Sequence, residues 1–354
     1  MIRVLIVDDS AVLRHSIRLI LQSDPELEIV GEASNGVDAL AMASSLKPAV
    51  ITMDIRMPKM DGLGAIRQIM SDSPIPIVVV TSIDLTREME IAEQATKLGA
   101  LSILARPTST APAEFGAFAA KLIEQVKLMS AVKVIRRARG RLDETPPPAP
   151  IANLGLVTPH EIEIAAIGSS TGGPAALYQI LGALPADFPV PIMIVQHISF
   201  GFVEGLAGWL EAVCPLHVQV GKLGDRVEPG KVYIAPDGCH MVVDRSHRIN
   251  LKESEAVGGF RPAINVLFES VAQAYGASGM GVILTGMGSD GAIGMQQMHV
   301  TGALTIAQDE ANCVVFGMPK EAIARGAARE ITPLDQIASR MVAWCAASKR
   351  MALA

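Results

Sequence analysis

The sequence predicts an α/β protein built from two doubly wound parallel-sheet domains. Three observations predict this fold class: a length of 354 residues, an apolar share of 50%, and short apolar runs that alternate with amphipathic stretches. A chain of this length exceeds what one hydrophobic core usually holds. Strands that alternate with helices are typical of parallel sheets covered on both faces. We therefore expect two α/β cores in one chain.

The first block, residues 1–130, contains five strand-like runs with helical stretches between them. Apolar residues recur at helical spacing in those stretches, as Leu13, Ile17 and Ile20 do, and a long helix over about 113–134 closes the block. The predicted strands are 4–7, 29–33, 50–53, 77–80 and 102–104. This fivefold βα repeat predicts one complete domain.

A linker over residues 131–160 and a second block over 161–350 follow. The linker contains the run Thr145-Pro-Pro-Pro-Ala-Pro, which favours extended backbone over helix or sheet. The predicted elements of the second block are a strand over 162–167, a helix from Pro174, a strand over 191–195, a hairpin-like region around 232–243 and a strand over 281–284. The second block is therefore also predicted to be α/β.

Composition and charge exclude several classes of protein. The formal net charge of −6 gives no general attraction to nucleic acid, and the apolar runs are far shorter than a membrane helix. The first residues turn acidic before a signal-peptide core could form, and the four cysteines lack metal-ligand spacing. We expect a cytoplasmic protein with no nucleic-acid partner and no membrane insertion.

Acidic residues follow the strand ends of the first block. Asp8 and Asp9 come directly after the first strand, Asp54 after the third, and Thr81 at the end of the fourth. Parallel strands bring these positions to one edge of the sheet, where three carboxylates would repel one another without a hard divalent cation. One such aspartate is often only a helix N-cap. The combination predicts a magnesium-dependent phosphoryl site.

These residues carry a resemblance to the response regulator receiver family over about residues 1–130. The matching segments are Val-Asp8-Asp9-Ser, Met-Asp54-Ile-Arg-Met-Pro, Val-Thr81-Ser and Arg106-Pro. The resemblance implies a flavodoxin-like domain in which Asp54 accepts a phosphoryl group from a histidine kinase.

The same resemblance implies the roles of the residues around Asp54. It implies that Mg²⁺ is held by Asp8, Asp9, Asp54 and the backbone carbonyl of Arg56. It implies that Thr81 and Arg106 sense the phosphate. The family has a lysine where this chain has Arg106, whose planar fork is larger than a lysine ammonium.

A glycine-flanked serine follows the first strand of the second block. The segment Gly168-Ser169-Ser170-Thr171-Gly172 matches G-x-S-x-G between a strand and a helix. Such a turn exposes the middle serine, and the helix N-terminus offers N–H groups to an oxyanion. The alternative is a loop that merely turns the chain or cradles a phosphate, although the Gly-Lys-Ser/Thr of a Walker loop is missing.

A base and an acid at other strand ends favour the catalytic interpretation. A serine hydroxyl needs a base within reach, and His197 follows the strand 191–195 and Gln196. Asp290 follows the strand 281–284 and could orient that imidazole, or it could be a turn residue. A structural or solvated role is the simpler interpretation of five other histidines: His160, His217, His240, His247 and His299.

The second block resembles the chemotaxis protein-glutamate methylesterase (CheB) family over about residues 163–343. The matching segments are Ile-Gly-Ser-Ser170-Thr-Gly-Gly, Gln196-His197, Tyr233-Ile-Ala-Pro, Arg261-Pro262, Gly281-Val-Ile-Leu-Thr-Gly-Met287-Gly-Ser-Asp290-Gly and Cys313-Val-Val-Phe-Gly-Met-Pro. The resemblance implies a Rossmann-like catalytic domain with an antiparallel hairpin. It implies Ser170 as nucleophile, His197 as general base and acid, and Asp290 as the group that orients His197.

Further roles and the activity are also implied by this resemblance. Met287 would supply an oxyanion-hole N–H and Thr171 would support the histidine, with no cofactor for the esterase. The substrates would be glutamate γ-methyl esters of methyl-accepting chemoreceptors, with release of methanol, and glutamines that are deamidated, in bacterial chemotaxis adaptation. Phosphorylated Asp54 would weaken packing of the receiver over the esterase cleft.

Three rival functions remain at this point. One is a receiver-linked regulator that only binds, and the residues Ser170, His197 and Asp290 argue against it. A second is a DNA-binding response regulator, which the acidic balance of the chain disfavours. A third is an esterase for a small-molecule ester, which only an assay can separate.

Overall fold

The computed structural model describes residues 1–81, 102–106, 112–132 and 160–352. The chain consists of two compact units, Met1–Asp143 and Glu144–Ala354. Among the described helices, none has both the length and the apolar character that a bilayer span requires. Most of the predicted linker, residues 133–159, lies outside the described residues.

The first unit contains a parallel five-stranded sheet in the order β2-β1-β3-β4-β5. This strand order is the flavodoxin-like one. The strands are β1 (Ile2–Val7), β2 (Leu27–Ala33), β3 (Val50–Met53), β4 (Ile77–Thr81) and β5 (Ser102–Ala105). The described helices are α1 (Ala11–Gln22), α2 (Gly36–Leu46), α3 (Gly62–Asp72) and α4 (Pro112–Ser130). The predicted fold of this block is confirmed.

Side-chain caps fix where the first three helices begin. The side chains of Ser10, Asn35 and Asp61 accept the backbone N–H three residues ahead, the arrangement that satisfies free donors at a helix start. The predicted helix over 113–134 was too long, because α4 ends at Ser130. The N–H groups of the next two residues donate three residues back and close the helix as a turn.

The second unit is organised around a seven-stranded parallel sheet in the order β14-β13-β12-β6-β7-β9-β8. Its strands are β6 (Ile164–Ser169), β7 (Ile192–Gln196), β8 (His217–Val220), β9 (Lys231–Ile234), β12 (Gly279–Ile283), β13 (Leu304–Gln308) and β14 (Glu330–Thr332). An antiparallel hairpin of β10 (His240–Val243) and β11 (Ile249–Lys252) forms a separate sheet.

Helices cover both faces of this sheet. They are α5 (Gly173–Gly182), α6 (Val203–Glu211), α7 (Ile264–Tyr275), α8 (Ala292–Val300), α9 (Met318–Ala324) and α10 (Leu334–Ala352). One core cluster contains side chains of α5, α6 and α10, and a second contains side chains of α7, α8 and α9. The predicted two-faced α/β architecture is confirmed.

The hairpin lies further along the chain than predicted. The prediction placed it around residues 232–243, but Val232 belongs to the buried strand β9, which pairs in parallel with β7 and β8. The turn that closes the hairpin follows β10 instead, where Asp244 N–H donates to Arg248 and His247 adopts a φ of 59°. A strand buried between parallel neighbours cannot also pair with an antiparallel one.

Candidate active site and acidic pocket

Ser170 lies at the carboxyl end of β6, in the turn that leads into α5. Its N–H donates to the Thr285 carbonyl at 3.0 Å, and its carbonyl accepts the Gly173 N–H at 2.8 Å. A Cβ added to Gly286 would lie 2.7 Å from Ser170 Cβ, so the segment after β12 approaches the serine closely. The turn therefore holds the serine between β6 and the residues that follow β12.

The glycines of the serine turn are required by its geometry. Gly172 adopts a φ of 79°, a left-handed conformation that L side chains rarely take, and it precedes the first residue of α5. A Cβ on Gly173 would lie 2.0 Å from the Gln196 side-chain oxygen. The G-x-S-x-G pattern thus forms the strand-turn-helix junction that the sequence predicted.

His197 and Asp290 form a hydrogen-bonded pair in the second unit. The His197 Nε2 and Asp290 Oδ2 atoms are 2.9 Å apart, and the two side chains are 7% and 4% exposed. His197 follows β7, and Asp290 follows β12 by a short loop. The structure therefore brings together two of the three predicted triad members from the ends of β7 and β12, the two strands that flank β6.

Asp290 accepts hydrogen bonds from three backbone N–H groups as well as from His197. Oδ2 accepts the Ile264 N–H at 2.7 Å, and Oδ1 accepts those of Asn265 and Gly291 at 3.0 and 2.9 Å. Ile264 and Asn265 begin α7, whose N-terminal dipole favours an anion. Burial raises the pKa of Asp290, but the hydrogen bond and charge of His197 and these N–H groups outweigh it, so its pKa is lowered.

The second ring nitrogen of His197 is free to act as a base. If Nε2–H donates to the Asp290 carboxylate, Nδ1 carries no proton and can accept one. Nδ1 is buried without a hydrogen-bond partner among the described residues. The His197 N–H donates to the Ser169 carbonyl at 2.9 Å, which ties the histidine to the strand end that leads into Ser170.

Gln196 connects the serine turn to the histidine segment, a role that the sequence analysis did not assign. Its side-chain oxygen accepts the Ser169 hydroxyl at 2.6 Å. Its side-chain nitrogen donates to the carbonyls of Ser170 and His197, both at 2.8 Å. The sequence signals for this contact are a polar residue at the end of a buried strand and its place in the matching segment Gln196-His197. The buried amide fixes the spacing of the two chain segments.

Phe260 also lies at the site, although the sequence assigns it no role there. Its ring stacks on the His197 imidazole with a centroid distance of 3.9 Å and an interplanar angle of 2°. The sequence gives only its position before Arg261-Pro262, a matching segment of the family resemblance. One face of the predicted base is therefore covered by an aromatic ring.

Met287 and Thr171 also lie at this edge of the sheet. Within the described residues the Met287 N–H has no hydrogen-bond acceptor, as an oxyanion donor requires. The Thr171 carbonyl accepts the Thr285 hydroxyl at 2.9 Å. The support of His197 by the Thr171 hydroxyl stays a prediction, and so does the oxyanion role of Met287.

The acidic residues of the first unit converge as predicted. Asp8, Asp9 and Asp54 each offer a carboxylate oxygen, and these oxygens lie within 4.8 Å of one another. A Cβ on Gly62 would lie 2.2 Å from the Asp54 carbonyl, which explains the glycine after Asp61. Oxygen ligands from one or two carboxylates suit Mg²⁺. This cluster could hold a hard divalent cation.

Arg106 reaches into this pocket. Its guanidinium is 3.3 Å from Asp8 Oδ2 and 3.9 Å from Asp54 Oδ1. Burial raises the pKa of Asp8. Burial and the charge of Asp8 raise the pKa of Asp54 to about 6, although Arg106 opposes that shift. Thr81 is buried at the end of β4, and Arg56 lies two residues beyond Asp54.

Asp54→Asn is expected to raise the thermal unfolding midpoint of the first unit by on the order of 5 °C in Mg²⁺-free buffer near neutral pH. The folded-state pKa of Asp54, about 6, lies above its ordinary value of 3.8, so folding disfavours the ionised form. The resulting loss of folding stability is absent at pH values below 3.8, grows as pH rises and is complete above about pH 6. The difference in unfolding midpoint between Asp54→Asn and the unsubstituted protein should therefore shrink as the pH is lowered.

Calorimetry of the full chain tests this expectation. The relevant transition is the one that Mg²⁺ shifts in the unsubstituted protein. Asp187→Asn removes one exposed carboxylate from the other unit and serves as the matched control. Equal midpoints for Asp54→Asn and the unsubstituted protein near neutral pH would contradict the expectation.

Comparisons with known proteins identify both units. The CheB methylesterase family model matches residues 165–341, and the response regulator receiver domain model matches residues 4–112. The crystal structure of the Thermotoga maritima CheB methylesterase catalytic domain is 38% identical with a TM-score of 0.50, and the match covers 51% of this chain and 98% of that one.

Relatives match over nearly the whole chain. A protein-glutamate methylesterase/protein-glutamine glutaminase of Myxococcus xanthus is 42% identical, with 96% of each chain covered. One of Syntrophus aciditrophicus is 43% identical, with 97% of this chain and 98% of the relative covered. Both resemblances found in the sequence are confirmed. The chain belongs to the CheB methylesterase family and carries a response regulator receiver domain ahead of its catalytic domain.

Proposed function

We propose that this protein hydrolyses glutamate γ-methyl esters on methyl-accepting chemoreceptors, releases methanol, and is activated by phosphorylation of Asp54. The observation that carries the esterase proposal is the set of contacts that His197 makes. Nε2 contacts the Asp290 carboxylate, Nδ1 is buried and free, and the backbone is tied to the serine turn. A neutral imidazole so arranged can accept a serine proton.

The first half-reaction forms an acyl-enzyme. Ser170 Oγ attacks the ester carbonyl carbon while its proton moves to His197 Nδ1. The Asp290 carboxylate stabilises the imidazolium, and the Met287 N–H stabilises the oxyanion. Collapse of the tetrahedral intermediate breaks the bond to the methoxy oxygen, which takes the proton from His197 and leaves as methanol.

The second half-reaction regenerates the enzyme. Water attacks the acyl carbon and gives a proton to His197 Nδ1, and Ser170 leaves with that proton to release a glutamate carboxylate. A glutamine side chain passes through the same acyl-enzyme and releases ammonia. This shared intermediate accounts for deamidase activity at the same site, in accord with the names of the relatives.

The acidic pocket supports the proposed control by a histidine kinase of the CheA type. Asp8, Asp9, Asp54 and the backbone carbonyl of Arg56 would hold Mg²⁺, which neutralises the carboxylates and the incoming phosphoryl oxygens. Asp54 would accept the phosphoryl group, and Thr81 and Arg106 would respond to it. Arg106 already lies between two of the carboxylates, where its guanidinium can move to a phosphate.

Release of tritiated methanol from methylated receptor membranes tests both parts of the proposal. Mg²⁺ with a small phosphodonor should raise the rate at least several-fold in the unsubstituted protein. Asp54→Asn should keep the basal rate and lose the stimulation, because the amide cannot accept the phosphoryl group. Asp187→Asn should be stimulated normally. Equal stimulation of Asp54→Asn would refute the control, and no release by any protein would refute the substrate.

A further inference from the structure

We infer that Phe260 is a positioning residue of the esterase, which holds the His197 ring and stabilises its protonated form during catalysis; this inference rests on the proposed function. The Phe260 and His197 rings are stacked with centroids 3.9 Å apart and planes 2° from parallel. The phenyl ring covers one face of the base on which the chemistry depends.

The stack suits a charged imidazole better than a neutral one. The face of a phenyl ring carries the negative part of the ring quadrupole. It therefore attracts a cation placed over it more strongly than a neutral ring. Proton transfer from Ser170 to His197 Nδ1 creates such a cation, with the Asp290 carboxylate in contact with Nε2. Phe260 therefore favours the transition state over the resting state.

A tight turn over residues 257–260 holds Phe260 in place. Val257 and Phe260 exchange backbone hydrogen bonds at 3.0 and 3.1 Å across Gly258 and Gly259. Those glycines have φ values of 61° and 87°, as a two-residue type I′ hairpin turn requires. The turn has no buried apolar residue of its own, and it places a phenyl ring against His197.

His240 connects the segment that contains Phe260 to the start of α7. The imidazole is fully buried, its Nε2 is 3.0 Å from the Glu255 carbonyl, and its Nδ1 accepts the Ala263 N–H at 3.1 Å. Ala263 immediately precedes α7, whose first two N–H groups hold Asp290. His240 thus connects the turn that contains Phe260 to the N-terminus of α7, which binds Asp290. Phe260 and Asp290, the two residues that contact the His197 ring, are therefore both held through His240.

Substitutions at Phe260 separate stacking from simple burial. Phe260→Leu and Phe260→Met keep an apolar side chain and remove the π-face, whereas Phe260→Tyr keeps the ring. We expect the first two to lower kcat for methanol release about tenfold with KM within about twofold of the unsubstituted value, and the tyrosine variant to retain kcat. If either Phe260→Leu or Phe260→Met fails to fold, the other still provides the test.

A fluorophosphonate probe that labels Ser170 gives a second readout, independent of the receptor substrate. The labelled fraction at saturation counts folded sites, and the labelling rate reports activation of the serine by His197. Slower labelling of the aliphatic variants at an unchanged labelled fraction supports the inference. An unchanged kcat, an equal loss in Phe260→Tyr, or a loss explained by fewer labelled sites would overturn it. Absence of methanol release by the unsubstituted protein would instead overturn the proposed substrate.

Discussion

Ser170→Ala is expected to lower the rate of methanol release by about 10⁴-fold or more. The variant loses the nucleophile, and only the binding and oxyanion contributions to catalysis remain. Tritiated methanol release from receptor membranes measures the loss, with the phosphodonor and Mg²⁺ present so that the reference rate is high. The labelled fraction with a fluorophosphonate should fall to background at the same time.

Ser339→Ala is the matched control for this substitution. The Ser339 hydroxyl donates to the Gln336 carbonyl within α10, so its removal should leave the rate unchanged. A Ser170→Ala protein that still released methanol at a similar rate would exclude Ser170 as the nucleophile. Hydrolysis of p-nitrophenyl acetate by the same proteins would separate a small-molecule esterase from a receptor esterase.

Asp290→Asn is expected to lower kcat by about 10⁴-fold and also to destabilise the second unit. All four groups around the carboxylate are donors: the His197 ring nitrogen and the N–H groups of Ile264, Asn265 and Gly291. An asparagine side chain has only one oxygen, so its NH₂ group would have to face some of these N–H donors without a hydrogen bond. The N-terminus of α7 would also lose the negative charge that its dipole favours. The amide also favours the wrong histidine tautomer.

Two measurements separate the chemical part of this loss from the structural part. The calorimetric midpoint reports the destabilisation, and kcat per folded protein, measured well below the midpoint of the variant, reports the chemistry. Asp187→Asn, which changes an exposed carboxylate, should alter neither. A kcat per folded protein that stayed near the unsubstituted value would show that Asp290 only supports the fold.

Much of both sites could be predicted because parallel sheets collect their functional residues at strand ends. The positions of Asp8, Asp54, Ser170 and His197 each follow from one strand boundary, and short apolar runs mark such boundaries well. The hairpin was misplaced because β9 and β10 have similar apolar character. Only tertiary pairing shows that β9 belongs to the parallel sheet.

The details of the catalytic geometry could not be predicted from the sequence. His197 uses Nε2 toward its carboxylate, whereas the serine proteases of the chymotrypsin type use Nδ1. The choice depends on which side of the ring Asp290 approaches, a property of the folded chain. The stacking of Phe260 on His197 could not be predicted for the same reason, because an aromatic ring in a glycine turn has no periodic pattern that indicates a contact.

The buried amide of Gln196 makes three positions behave as one unit under mutation. Ser169 donates to the Gln196 oxygen, and any side chain at Gly173 would collide with that oxygen. Residues that share a partner deviate from additivity, so double-mutant cycles among these positions should show coupling. Ser169→Ala would remove one of the three hydrogen bonds of this amide, whereas a side chain at Gly173 would displace the amide itself. Whether position 173 tolerates a side chain should therefore depend on the residue at position 196.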